Sequence, residues 1–187
     1  KNVKGFVTIV EGFKTNADVV ENVGDKILLR TNNGAPNFKL VLLDPKKPQP
    51  SNWKTLIAEQ KEPLDFVSTG GGKLFAGYLK DAITLVNQHN MNGKLEHSIQ
   101  LPGVGTASGF GSKKEEKDFY YTFTSFTYPS TVFKYDINTG KSSLYRKSEA
   151  KFDPAAFETK QVFYTSKDGT KVPMFITHKK GLVLNGN

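Results

Sequence analysis

The chain has 187 residues, 37% of them hydrophobic and 24% charged, and it contains no cysteine. This length suffices for a hydrophobic core, and the missing cysteines exclude disulfides, thiolate metal ligands and a cysteine nucleophile. Lysine and arginine outnumber aspartate and glutamate by 26 to 18, for a net charge of +8, and no apolar run reaches the roughly 18 residues of a membrane span. A membrane partner is therefore not expected, whereas an anionic partner is worth testing.

In chain order, short apolar runs bounded by turn residues predict β-strands through the first 150 residues. These runs are rich in aromatic and β-branched residues, which fit a pleated surface. The predicted strands are 18–23, 27–31, 38–44, 54–58, 64–68, 74–79, 83–89, 95–101, 106–110, 119–124, 131–137 and 143–146. Asn33-Gly34, Asn92-Gly93 and Thr139-Gly140 favour turns between strands. No stretch of a dozen residues shows helical spacing of apolar positions, so the sequence predicts an all-β fold.

The predicted strands recur as a set. Asp44, His89 and Asp136 each end a strand before a turn, and they lie 45 and 47 residues apart. A period of about 40–50 residues that carries four strands is typical of a β-propeller blade. The sequence therefore predicts a partial β-propeller of about three four-stranded antiparallel blades, the first with a proline-rich insertion at 45–50. An ordinary β-sandwich with evenly spaced hairpins is the alternative.

The repeat stops after Glu149. Residues 151–157 form a connector without a counterpart in the repeats, and a longer hairpin follows, with strands at 159–166 and 170–179. So short a tail cannot form a core of its own. We therefore predict a boundary near Phe152, with the C-terminal part of a propeller at 1–152 and the incomplete beginning of another domain at 153–187.

Motifs of serine hydrolases and phosphate sites are weak in this chain. Ser108 lies in a run of glycines but not in Gly-x-Ser-x-Gly, and no helix is predicted after it. The histidines His89, His97 and His178 lack the helical spacing of a zinc site. We therefore assign no catalytic, cofactor-binding or metal-binding residue, and expect no cofactor.

Charged residues give equally little evidence of a site. Asp65, Asp81, Glu96 and Asp118 could supply a glycosidase pair, but such acids more often end strands or solvate sheet edges. The run at 113–117 mixes both signs, which is typical of a solvated loop tip. Because the aromatic residues alternate within strands instead of accompanying a basic face, no nucleic-acid partner is expected.

Three segments carry a family resemblance: Arg30-Thr31-Asn32 with the nearby 35–40, Phe119-Tyr120-Tyr121-Thr122-Phe123-Thr124-Ser125-Phe126, and above all 159–181, which contains Ser166-Lys167-Asp168-Gly169-Thr170-Lys171. In these segments the chain resembles the prolyl oligopeptidase (prolyl endopeptidase) family of serine peptidases. The resemblance covers nearly the whole chain. The last segment is similar to the family's first stretch of peptidase domain after its propeller.

The resemblance implies a seven-bladed propeller that caps an α/β-hydrolase domain and restricts access to its active site. Substrates would be short peptides cut on the carboxyl side of proline. This chain would supply about the last three blades and only the first β-hairpin of the hydrolase domain, with the remaining blades and the peptidase domain as partners. The catalytic serine, aspartate and histidine would lie downstream, so the chain alone should be inactive.

Alternatives remain open at this point. A non-catalytic β-propeller used as a protein-interaction module fits the same strand pattern, and a dipeptidyl peptidase or oligopeptidase B fits the same hairpin. The compartment, cytoplasmic or periplasmic, stays undecided. If only three blades are present, we expect the outer two to expose apolar faces that contain Phe38, Leu40 and Phe133.

Overall fold

Three four-stranded antiparallel sheets and one hairpin build the chain, in a computed structural model that describes residues 7–183, 185 and 186. Within those residues the only helical elements are two 3-10 turns, Pro50–Asn52 and Pro154–Ala156. Each begins with proline, whose fixed φ suits the first position of a helical turn. No helix in the described part of the chain is long and apolar enough to cross a membrane.

Each four-stranded sheet is a meander in which hydrogen-bonded neighbours follow one another along the chain. The first sheet contains β1 (Ala17–Val23), β2 (Lys26–Thr31), β3 (Lys39–Leu43) and β4 (Lys54–Ile57). The second contains β5 (Leu64–Gly70), β6 (Lys73–Lys80), β7 (Ile83–Asn90) and β8 (Leu95–Ser98). The third contains β9 (Thr106–Ser108), β10 (Asp118–Ser125), β11 (Tyr128–Asp136) and β12 (Lys141–Arg146). The hairpin consists of β13 (Phe157–Thr165) and β14 (Lys171–Lys179).

These bounds confirm the all-β prediction and the grouping into sets of four strands. Two predicted strands, 95–101 and 106–110, extended two or three residues too far, since β8 ends at Ser98 and β9 at Ser108. Gly109 has a φ of +92°, outside the β region, and this ends β9. Pro102, beyond β8, has no N–H to donate to a sheet ladder.

The second sheet is buried on both faces, between the first and the third. Alternate residues of β6 belong to different apolar clusters, as the period of two in a strand requires. Leu74 and Ala76 pack with Leu28 of the first sheet, whereas Phe75 packs with Phe119 of the third. All five side chains are buried, so β6 contributes to the cores on both sides of the second sheet.

Aromatic rings dominate the contact between the second and third sheets. The ring centroid of Phe75 lies 4.8 Å from that of Phe119 and 6.1 Å from that of Tyr135, both in edge-on geometry. Phe66 of β5 stacks on Phe110, which follows β9, at 5.8 Å. Such pairs contribute about 0.5–1.5 kcal/mol each beyond the area they bury, which makes this interface the strongest part of the core.

The expectation that Leu40 and Phe133 lie on exposed apolar faces was wrong. Leu40 is 0% and Phe133 9% exposed, because both point toward the second sheet. Phe38 is half-buried, with the Arg30 guanidinium 3.8 Å above its ring. Tyr145, 62% exposed on the third sheet, shows that apolar side chains do reach the surface, but at other positions.

We expect Phe75→Ala to destabilise the chain by about 3–5 kcal/mol, because it empties the centre of the aromatic interface. Tyr120→Ala is the matched control: Tyr120 is 44% exposed and contacts mainly Tyr145. It should cost about 1 kcal/mol or less. Urea unfolding followed by circular dichroism measures both. Equal losses would mean that the second sheet is not the centre of the core.

Candidate functional site

The serine, aspartate and histidine of the hairpin are separated by its length. The Ser166 hydroxyl donates to the Asp168 carboxylate at the turn, and the Thr170 N–H donates to the same carboxylate. These bonds lower the pKa of Asp168 to about 2, which suits a turn acceptor and not a catalytic acid. His178 lies opposite Glu158 at the other end of the hairpin, seven residues along β13 from Thr165. At 3.3 Å per residue this separates His178 from the turn by roughly 23 Å.

His178 instead closes the open end of the hairpin. Its side chain is only 6% exposed, and its Nε2 lies 3.6 Å from Glu158 Oε1. Its Nδ1 bonds the carbonyl oxygen of Lys179 at 2.8 Å. Both contacts are local to the ends of β13 and β14, so His178 orients the strands and does not meet Ser166.

Ser108 is no better placed as a nucleophile. It ends β9 opposite Thr122 and is followed by a loop, whereas a nucleophile elbow needs a strand-to-helix turn. Gly105 is explained by packing, since a Cβ there would lie 2.8 Å from Phe123 Cζ. The glycine run therefore permits close approach of strands and does not form a phosphate loop.

Two of the four acids singled out from the sequence are held in separate ion pairs, and the other two, Asp65 and Asp81, are exposed. Glu96 forms an ion pair with Lys73 at 2.5 Å, and Asp118 pairs with Lys134 at 2.9 Å. Glu96 belongs to the second sheet and Asp118 to the third, so the two do not flank one cleft. Among the residues that the structure describes, no three His, Asp or Glu side chains are grouped to hold a metal ion.

His89 is a buried neutral histidine. It is 3% exposed, and its Nδ1–H donates to the carbonyl oxygen of Gly93 at 3.0 Å. Its Nε2 is buried without a hydrogen-bond partner in the described part of the chain. Desolvation therefore lowers the pKa of His89, against smaller raising effects of the Gly93 bond and the Glu96 charge.

This burial predicts a loss of stability in acid. The unfolded chain takes up a proton on His89 below pH 6.5, whereas the folded chain resists it, so the contribution of neutral His89 is present above pH 6.5 and is lost as the pH falls. We expect the free energy of unfolding to fall between pH 7 and pH 5. In His89→Gln, whose amide can donate to the same carbonyl without titrating, the fall should be shallower. Denaturant titrations at each pH test this, and equal pH slopes would contradict it.

A buried polar network joins the second and third sheets. The Tyr135 hydroxyl donates to Gln88 Oε1 at 2.8 Å, so the 2.7 Å contact between His97 Nε2 and Tyr135 Oη has His97 as donor. Gln88 Nε2 donates to Glu96 Oε2 at 2.9 Å and to the carbonyl oxygen of Ile137 at 3.1 Å. Burial raises the pKa of Tyr135. Because each of these side chains has a hydrogen-bond partner, the network fixes how the second sheet is positioned against the third.

Sequence reasoning missed this network. Gln88 and Tyr135 lie 47 residues apart, which is the repeat length, and buried Leu43 stands one repeat earlier. A polar residue at the position where another repeat carries leucine was the available signal. His97 of the second sheet also lies against the β11–β12 turn of the third sheet. A Cβ on Gly140 in that turn would lie 2.6 Å from His97 Nε2, so the position requires glycine.

The hairpin contacts the second and third sheets at one end, which we call the junction end. Gln161 Nε2 donates to the carbonyl oxygen of Asp81, in the β6–β7 turn, at 2.5 Å. The rings of Phe175 and Phe126 lie 5.6 Å apart, and Phe126 belongs to the β10–β11 turn. The hairpin therefore bridges turns of the second and the third sheets.

The turn that Gln161 contacts has an unusual backbone. Asp81 and Ala82 have φ of +48° and +64°, the left-handed region that costs a non-glycine residue roughly 1–2 kcal/mol. Two consecutive positive values define the tight hairpin turn usually made by Asn-Gly. Such strain persists where the surroundings hold it, and here the Gln161 amide bonds the carbonyl between the two residues.

The geometry can be compared with known proteins. A family model described as the prolyl oligopeptidase N-terminal β-propeller domain matches residues 1–148. The chain belongs to this family. The resemblance inferred from the sequence is thereby confirmed, and the four-stranded antiparallel sheets are consistent with propeller blades.

Individual relatives agree with the family. The chain is 50% identical over 186 residues to a prolyl endopeptidase of Elizabethkingia meningoseptica, covering 100% of this chain and 26% of that protein. A solved structure from an analysis of two prolyl endopeptidases is 40% identical and has a TM-score of 0.86. The match covers 94% of this chain and 26% of the chain in that structure. Prolyl oligopeptidase B from Galerina marginata, solved with a 35mer hydrolysis and macrocyclization substrate, is 28% identical and has a TM-score of 0.84. This match covers 96% of this chain and 26% of that one. The chain thus spans about a quarter of these relatives.

Proposed function

We propose that the chain is part of a longer proline-specific serine oligopeptidase, in which it forms three propeller blades and the opening hairpin of an α/β-hydrolase domain. The boundary lies near Phe152, with the propeller part at 1–152 and the peptidase part at 153–187. The substrates are short proline-containing peptides, and the propeller restricts their access to the active site. The observation that carries the proposal is that β13 and β14 form a sheet of their own, docked across the turns of two blades.

The connector supports this division. Most residues of the connector at 147–155 line an open groove of about 620 Å³ together with Tyr128, Pro129 and Thr131 of the third blade. Asp153 caps the 3-10 turn that leads into β13, accepting from the Ala155 N–H at 2.9 Å. A loosely packed connector followed by a capped turn suits a linker between two domains.

The hairpin has an unpartnered apolar face, as expected of the start of a larger domain. The face that meets the blades carries Gln161 and Phe175. On the opposite face, Met174 is 42% and Tyr164 49% exposed. We propose that further strands and helices of the peptidase domain cover this second face, since a two-stranded sheet alone is marginally stable.

We expect the 187-residue chain alone not to hydrolyse a fluorogenic Gly-Pro amide, because its described residues do not bring serine, histidine and carboxylate together. Loss of triad members costs several orders of magnitude in rate. The longer protein that contains this chain should cleave the Gly-Pro amide, ignore the Gly-Ala amide, and label with a serine-directed fluorophosphonate.

Two outcomes would overturn this proposal. One is turnover by the chain alone that disappears in Ser166→Ala or Ser108→Ala, which would place a nucleophile inside the chain. The other is a longer protein that neither labels nor prefers proline, which would favour a non-catalytic interaction propeller.

The junction contacts can be tested separately. We expect Gln161→Ala to make the connector more sensitive to trypsin at Lys147 and Lys151, because it removes the bond to Asp81. A hydrogen bond of about 1 kcal/mol corresponds to about fivefold more frequent opening. Lys160→Ala changes the neighbouring residue on the other hairpin face and should leave the cleavage rate within twofold. Equal rates in both variants would show that Gln161 does not hold the hairpin on the blades.

A further inference from the structure

At the end of the sheets opposite the hairpin, which we call the distal end, one of the connections between a first and a second strand is unusually long. The first and second strands are joined by Gly24-Asp25 in the first sheet and by Gly71-Gly72 in the second. In the third sheet the corresponding connection runs from Gly109 to Lys117. This loop, residues 109–117, includes the mixed-charge run that sequence reasoning took for a solvated loop tip.

The loop is fixed across the neighbouring blade. The Ser112 N–H donates to the carbonyl oxygen of Thr69 at 3.0 Å, and the Gly71 N–H donates to that of Lys113 at 3.1 Å. Close approach requires glycine beneath it, since a Cβ on Gly70 would lie 2.6 Å from Ser112 N. β5 is the first strand of its sheet and contacts β1, the first strand of the neighbouring sheet, so the loop covers the end of β5 beside β1.

Two lysines of the loop are left unpaired at this place. Lys113 and Lys114 are exposed, and no carboxylate oxygen of the described residues lies within 4.0 Å of either ammonium group. The nearby Glu116 carboxylate accepts from the Lys113 backbone N–H at 2.9 Å instead of meeting its side chain. Both lysines line a cavity of about 300 Å³ between the first two blades and the loop.

The other charges of this cavity are engaged. Glu21 Oε2 accepts from the Thr69 hydroxyl at 3.1 Å, and its Oε1 accepts from the Asn22 N–H at 3.1 Å. Lys73, which also lines the cavity, is held by Glu96 at 2.5 Å. Among the residues that line the cavity, the two free ammonium groups therefore outnumber the single carboxylate of Glu21, whereas Glu115 and Glu116 of the same loop are not part of the lining.

We propose that Lys113 and Lys114 form an anion-recognising site at the distal mouth of the propeller channel, which favours peptides that carry carboxylate groups. The inference rests on the proposed function, because it takes the innermost strands to line the channel through which peptides reach the active site. Exposed charges at an entrance act chiefly on the association rate, and salt screens them. The site therefore sets a charge preference for substrates without touching the reacting bond.

The test compares two proline-containing fluorogenic peptides of equal length, one with two glutamates and one with two glutamines far from the proline. Lys113→Gln/Lys114→Gln in the longer protein should lower kcat/KM for the glutamate peptide about three- to tenfold at low salt, and for the glutamine peptide less than twofold. The matched control, Lys179→Gln/Lys180→Gln, removes the same charge at the end of β14, away from the distal end, and should leave the ratio of kcat/KM for the two peptides unchanged. The difference should vanish in 0.5 M NaCl.

The proposed site is contradicted if the ratio of kcat/KM for the glutamate peptide to that for the glutamine peptide is unchanged in Lys113→Gln/Lys114→Gln, or falls equally in the control. Prolyl cleavage itself would continue in either case. Absence of cleavage of both peptides by the unmodified longer protein instead overturns the proposed function. Fluorescence anisotropy of a labelled glutamate peptide, titrated with the 187-residue chain at low salt, measures binding at the site independently of catalysis. Binding that does not weaken in Lys113→Gln/Lys114→Gln would then contradict the site.

Discussion

The rest of the structure depends on the burial of the second sheet between its two neighbours. Leu74 and Phe75 are adjacent in β6 and fully buried, yet they belong to different cores. Apolar burial contributes about 25 cal/mol per Å², so the second sheet cannot leave either neighbour without exposing a whole face. This constraint sets the spacing of the sheets, and with it the positions of the turns at both ends.

The proposed function depends on the two ends of the sheets. At the junction end, the turns of two blades meet the hairpin through Gln161 and Phe175. At the distal end, loop 109–117 crosses to the neighbouring blade and presents Lys113 and Lys114. Between them, the Gln88–Tyr135 network fixes the second sheet against the third with hydrogen bonds that apolar packing alone would not specify. A propeller wall with one domain docked on one end and an entrance at the other is the arrangement we propose.

Local patterning predicted the fold because strand alternation and turn chemistry depend on neighbouring residues. Gly34, Gly93 and Gly140 adopt the positive φ expected of the predicted turns. The contacts between sheets were less accessible, since they join residues far apart in sequence. Leu40 and Phe133 were assigned to exposed faces because alternation says that a strand has two faces but not which neighbour covers each. The turn at Asp81-Ala82 carries no glycine, so its conformation could not be anticipated from composition.

The central claim is that three face-packed sheets form one cooperative body on which the hairpin is a separate unit. Native-state hydrogen exchange of the chain, resolved by peptide mass spectrometry, tests it most directly. We expect the slowest exchange in β6 and β7, which are buried by both neighbours, and distinctly faster, independent exchange in β13 and β14. Exchange of the hairpin together with the blades as one unit, or protection in β6 no greater than in β12, would contradict the account.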